Sequence, residues 1–125
     1  MVDKITQKII CTAFSNGKKH DFKVFKESGI YFKESTKVLT DSGYLGLQKM
    51  HANTSMPKKK SKKNPLTKED KIQNKQLSSE RVSNEHVIGM VKRFKIVADK
   101  YRNRRKRFGL RFNLIAGICN YELTK

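Results

Sequence analysis

The longest periodic stretch of the chain runs from about Ser79 to Asp99, and it limits the fold more than any other feature. Val87, Val91, Phe94 and Ala98 recur there at spacings of three and four, so the segment predicts a helix with a single apolar stripe. Such a helix has to bury its stripe against other elements, and the sequence offers short strands for that purpose. Ile9–Phe14 is apolar and β-rich and ends in the turn chemistry of Ser15-Asn16-Gly17. Lys37–Thr40 is a second short strand that runs straight into Asp41-Ser42-Gly43. Between them Asp21 is placed to cap a short helix from Phe22 to Glu27. Strand, helix and strand in that order predict an α/β chain with a parallel crossover.

Asp3–Lys8 has the polar character of a hairpin connection. The partner of Ile9–Phe14 is therefore expected before Met1, with the chain entering the hairpin halfway and leaving an open sheet edge open to self-association. Phe112–Tyr121 is compatible with a buried helix or a buried strand.

Charge narrows the partners. The chain carries 29 Lys+Arg against 11 Asp+Glu, a formal charge of +18 in 125 residues. A small chain this basic repels itself unless a polyanion neutralises it. Nucleic acid is the expected polyanion, because phosphate contacts release condensed counterions. An anionic membrane surface is the competing partner, but no stretch has the apolar length to span a bilayer. MVDKITQKII lacks an apolar signal core, so a cytoplasmic location is expected. Cys11 and Cys119 have no second ligand at metal spacing and are expected as reduced core residues.

The positive charge is concentrated in two runs. A basic loop is expected over about 56–66, where Lys58, Lys59, Lys60, Lys62 and Lys63 can contact a DNA backbone or merely be solvated. Thr67-Lys68-Glu69-Asp70 then resembles a capping box opening a polar helix. Lys100–Arg111 holds seven bases and no acid, and Arg102, Arg104, Arg105 and Arg107 are expected to track phosphates.

Two carboxylates stand out. Asp41 closes a strand, at the edge of an α/β sheet where ligands bind, and could hold a hard divalent cation; an ordinary turn start is the plainer alternative. Glu85 lies off the apolar stripe and shares its helix face with Arg81 and Lys92, as a metal ligand flanked by phosphate-steering bases would. An Arg81–Glu85 ion pair at i,i+4 spacing is the plainer alternative. His20 and His86 are expected as hydrogen-bonding scaffold, and nothing in the sequence assigns His51 a role.

Asp-Ser-Gly-Tyr-Leu-Gly (Asp41–Gly46) is similar to the motif around the second catalytic Asp of bacterial insertion-sequence DDE transposases. Arg81 through Lys92 resembles the same family's Arg-x3-Glu-x6-Lys pattern, and Ser15–Phe22 and Tyr101–Arg105 look like two more of its segments. The resemblance covers essentially the whole chain, which would be the C-terminal part of the catalytic domain, residues 1–125. It implies an RNase H-like fold, two-metal DNA cleavage and strand transfer with Mg2+, and transposon ends as the DNA partner. Asp41 and Glu85 would be metal-binding and catalytic, with Arg81 and Lys92 holding a phosphate.

The chain departs from the pattern at Ser78, where the family often has Tyr, and in lacking an equivalent of the first catalytic Asp. Asp3 falls in a turn and is not expected to replace it. An inactive fragment, binding metal weakly unless an upstream transposase fragment completes it, is therefore expected. A non-catalytic basic nucleic-acid-binding protein is the alternative, and a ribosome-associated basic protein a third.

Overall fold

The computed structural model describes residues 1–15, 17–99 and 107–125. In chain order the elements are α1 (Asp21–Glu27), β1 (Val38–Leu39), β2 (Thr54–Ser55), α2 (Lys68–Lys92), α3 (Lys95–Ala98) and α4 (Phe108–Glu122). They fall into two compact units, one of Ser15–Arg81 and one of Met1–Phe14 with Val82–Lys125.

In the Ser15–Arg81 unit, α1 is capped by His20 rather than by Asp21. The imidazole Nδ1 accepts from the Phe22 amide at 3.3 Å, which leaves Asp21 inside the first turn. A neutral imidazole nitrogen can fill an orphan amide as a carboxylate would, and this gives His20 a scaffold role. A parallel pair is formed within this unit, β1 with β2, Val38 opposite Thr54. The Val38 amide donates to the Asn53 carbonyl at 2.9 Å and the Thr40 amide to the Ser55 carbonyl at 3.1 Å.

Two 3-10 turns, Ser42–Tyr44 and Leu47–Lys49, make the connection. Gly46 joins them at φ +102°, with the Phe22 ring 3.1 Å from where a Cβ would stand, so only glycine satisfies both backbone and packing. Leu47 is the buried anchor of this unit. Phe25 stacks on Phe32 and meets Tyr44 edge-on. Buried His51 ties the loops together, its Nε2 donating to the Thr36 carbonyl at 2.6 Å while Thr54 Oγ1 donates to the His51 carbonyl.

Thr67 and Asp70 form the expected reciprocal cap. The Asp70 amide donates to Thr67 Oγ1 at 3.1 Å and the Thr67 amide to Asp70 Oδ2 at 3.2 Å. The two expected helices are, however, one: α2 runs unbroken from Lys68 to Lys92. It then ends early, because Phe94 takes an extended conformation and starts α3. Val87 and Val91 are buried and Phe94 half-buried, as the stripe predicts, but Ala98 is exposed. The turn at Phe94 brings Ile96 and Val97 to the core in its place.

The core of the second unit is Val91, Ile115 and Cys119, with Ile9, Met90 and Phe112 packed around it. α4 settles the ambiguous C-terminal segment as helix and buries Ile115, Ala116 and Cys119 along one face. Gly109 lies inside α4, and a Cβ there would stand 3.3 Å from the Phe14 ring, which meets Phe108 and Phe112 edge-on.

Among the described residues the expected strand at Ile9–Phe14 makes one antiparallel bridge, from Ile9 to Val2 across the Asp3–Lys8 turn. The Ile10 amide donates to the Met1 carbonyl and the Asp3 amide to the Lys8 carbonyl. Asp3 Oδ1 accepts from the Ile5 and Thr6 amides at 2.8 Å each, which makes it a turn residue. Cys11 and Cys119 are both free thiols. Among the described residues no helix is long and apolar enough to cross a membrane.

Candidate functional site

Asp41 follows β1 directly, where the strand's backbone pairing ends and a 3-10 turn begins. It caps that turn, Oδ1 accepting from the Ser42 amide at 2.6 Å. The turn-starter alternative is therefore true of one carboxylate oxygen. The other faces a guanidinium, with Oδ2 lying 3.6 Å from Arg81 Nη2. The carboxylate remains 59% exposed, so the ion pair leaves room for a further ligand.

Tyr44, at the far end of the same turn, has its hydroxyl pushed above the ordinary phenol value. Burial is the main cause, and the charges of Asp21 and Asp41 add to it. Two carboxylates thus lie within electrostatic reach of one ring. The Thr40 hydroxyl, at the same strand end, is buried with no hydrogen-bond partner among the described residues.

Arg81 lies on α2, and Glu85 follows it by four residues on the same helix face. Among the described residues, the ion pair recorded for Arg81 is the one with Asp41 rather than one with Glu85. Glu85 and Lys92 are exposed in the unit of Met1–Phe14 with Val82–Lys125, with the buried Val87–Val91 stripe turned away from them. His86 is exposed as well.

The loop lysines divide. Lys59, Lys60, Lys62 and Lys63 are exposed. Lys58 is taken up by Asp70, whose carboxyl is held below the usual carboxylate range by that lysine's hydrogen bond and by the Thr67 amide. Alongside runs an open groove of about 710 Å3, walled by Leu45, Met56, Pro65 and Leu66. Arg107 is exposed at the start of α4, while Arg102, Arg104 and Arg105 lie outside the described residues.

Oxygen donors that are exposed and anchored, as Asp41 is, suit a hard divalent cation in kind. Among the described residues no three His, Cys, Asp or Glu side chains converge as a metal site. Sequence reasoning missed Asn74, the pairing of Asp70 with Lys58, and the role of His51. Each acts through a partner distant in sequence, so no local spacing marks it.

These elements define a mixed α/β protein with a small parallel sheet and a helix guanidinium paired to its strand-end carboxylate. Residues 1–120 match the family described as DDE superfamily endonuclease, and the chain belongs to that family. It is 47% identical over 124 residues to a probable transposase for insertion sequence element IS702 of Microchaete diplosiphon. The match covers 99% of this chain and 45% of that relative, so the chain spans less than half the relative's length. No solved structure matches it significantly.

Proposed function

We propose that these residues serve the DNA cleavage and strand transfer of an insertion-sequence transposase, within an RNase H-like α/β fold. Asp41 and Glu85 are two of its metal-binding carboxylates, and Mg2+ is the cation. Bound divalent ions supply Lewis acidity at the phosphoryl oxygens in the two-metal mechanism. Asp41 offers its exposed carboxylate, kept in place by the Ser42 amide. Arg81 balances that charge and would hold a DNA phosphate beside the bound cation. Lys92 adds a second cation on the same helix. The exposed lysines of the 56–66 loop and Arg107 hold the DNA backbone, giving position rather than sequence readout.

The observation that carries the proposal is the Asp41–Arg81 pair. It joins the strand-end motif to the Arg of the Arg-x3-Glu pattern, although 40 residues separate them in sequence. No residue of the 125 is assigned as a third carboxylate. Metal binding is therefore expected to be weak, and cleavage by these residues alone undetectable.

The test is titration with Mn2+, followed by its paramagnetic signal, on the chain and on Asp41→Asn and Glu85→Gln. Weak binding that each substitution abolishes is the expected result. Unchanged binding in both variants would overturn the assignment.

A further inference from the structure

The lysine run following Met56 is not a free tether, because its first lysine is fixed at three points to the opening turns of α2. The Lys58 amide donates to Asn74 Oδ1 at 2.9 Å, and Asn74 Nδ2 donates back to the Lys58 carbonyl at 2.9 Å. One side-chain amide thus satisfies both backbone groups of Lys58, as a neighbouring strand would. The Lys58 ammonium, meanwhile, donates to Asp70, whose other carboxylate oxygen accepts from the Thr67 amide in the helix cap. Beyond Lys58 the loop turns on itself, the Ser61 amide donating to the Asn64 carbonyl and the Asn64 amide to Ser61 Oγ. Lys59, Lys60, Lys62 and Lys63 are exposed, and no carboxylate among the described residues pairs with them.

We propose that Asn74 and Asp70 are positioning residues that clamp Lys58, so that Lys59, Lys60, Lys62 and Lys63 are presented to phosphates as a preordered loop. The proposal rests on the DNA-backbone role given to that loop above. It also reassigns Lys58 from phosphate ligand to anchor, since its charge is already met by Asp70. A clamped loop enters binding with its backbone largely ordered, whereas a loose one loses that freedom on contact. The clamp therefore governs affinity, and the free lysines govern how steeply affinity falls with salt. Those two quantities are separable.

The experiment measures affinity of the 125-residue chain for a fluorescent duplex across a salt series. Asn74→Ala keeps every charge and a good helix former, so it should weaken binding roughly three- to tenfold at fixed salt with the slope unchanged. The same variant should be cut by trypsin at Lys59 and Lys60 sooner than the parent chain. Asp70→Asn frees the Lys58 charge and should steepen the log–log slope by about 0.9, one additional phosphate contact. Lys58→Gln should leave the slope alone, whereas Lys59→Gln should flatten it by about 0.9.

If Asn74→Ala binds and is cleaved as the parent is, the clamp is wrong even though the loop binds DNA. If Lys58→Gln flattens the slope as much as Lys59→Gln, Lys58 is itself a phosphate contact and the reassignment falls. A Lys59, Lys60, Lys62 and Lys63 quadruple Gln variant that binds like the parent would remove the loop's DNA role, and the clamp's purpose with it.

Discussion

Asn120→Ala should detach the N-terminal hairpin from α4, and the structure allows the cost to be worked out. The Ile9 amide donates to Asn120 Oδ1 at 2.7 Å and Asn120 Nδ2 donates to the Ile9 carbonyl at 2.8 Å, so one side chain completes a strand-like residue that has only one backbone bridge. Two such bonds contribute about 1–3 kcal/mol net, at the lower end where the freed groups reach water. Both residues are half-buried, so water reaches them partly. Alanine is the better helix former inside α4 by up to about 0.7 kcal/mol, which offsets part of the loss. A net destabilisation of about 0.3–2.3 kcal/mol remains. Urea unfolding should show it as a lower midpoint with an unchanged m-value, and the Ile9 amide should exchange faster with solvent. Asn120→Asp, which keeps an acceptor for the Ile9 amide but sets a negative charge against the Ile9 carbonyl, should not rescue the loss. Equal stability of Asn120→Ala and the parent, with Ile9 still protected, would refute the view that this amide holds the hairpin.

Gly46→Ala should cost about 1–3 kcal/mol, because it combines a positive φ of +102° with a ring 3.1 Å from the new Cβ. A thermal midpoint within a degree of the parent's would contradict that. The carboxyls of Asp70 and Asp3 are held below the usual range, by the Lys58 hydrogen bond first and by the Thr6 and Ile5 amides respectively. Their stabilisation is therefore complete above about pH 4 and is lost as pH falls through the depressed folded values. Stability of Asp70→Asn should accordingly change less with pH than the parent's below about pH 4, and identical acid profiles would count against it.

The parts legible in the sequence were those with local causes. The Thr67–Asp70 cap, the helical stripe at Val87 and Val91, the short strand before Asp41 and the Asp3 turn each depend on residues a few positions apart. Side-chain geometry over that range is set by backbone periodicity, so spacing alone foretells it. The DDE family was legible for the same reason, as ordered short motifs, and the match over residues 1–120 agrees.

What tertiary structure decided was every choice of partner. Val2 faces Ile9 across the Asp3–Lys8 turn, and β2 pairs with β1. The α4 segment has apolar residues on both sides, Ile115 and Cys119 inward and Leu110 and Leu114 outward, so periodicity could not separate helix from strand before a core selected one face. α2 ends at Lys92 because the turn at Phe94 lets Ile96 and Val97 reach the same core, a gain in burial that no local preference encodes. Charge follows the same division. The sequence determined that lysines and arginines outnumber acids, but only the fold gave Lys58 to Asp70 and Arg81 to Asp41. An ion pair depends on distance in space, and a chain carries that distance in its packing rather than in the order of its residues.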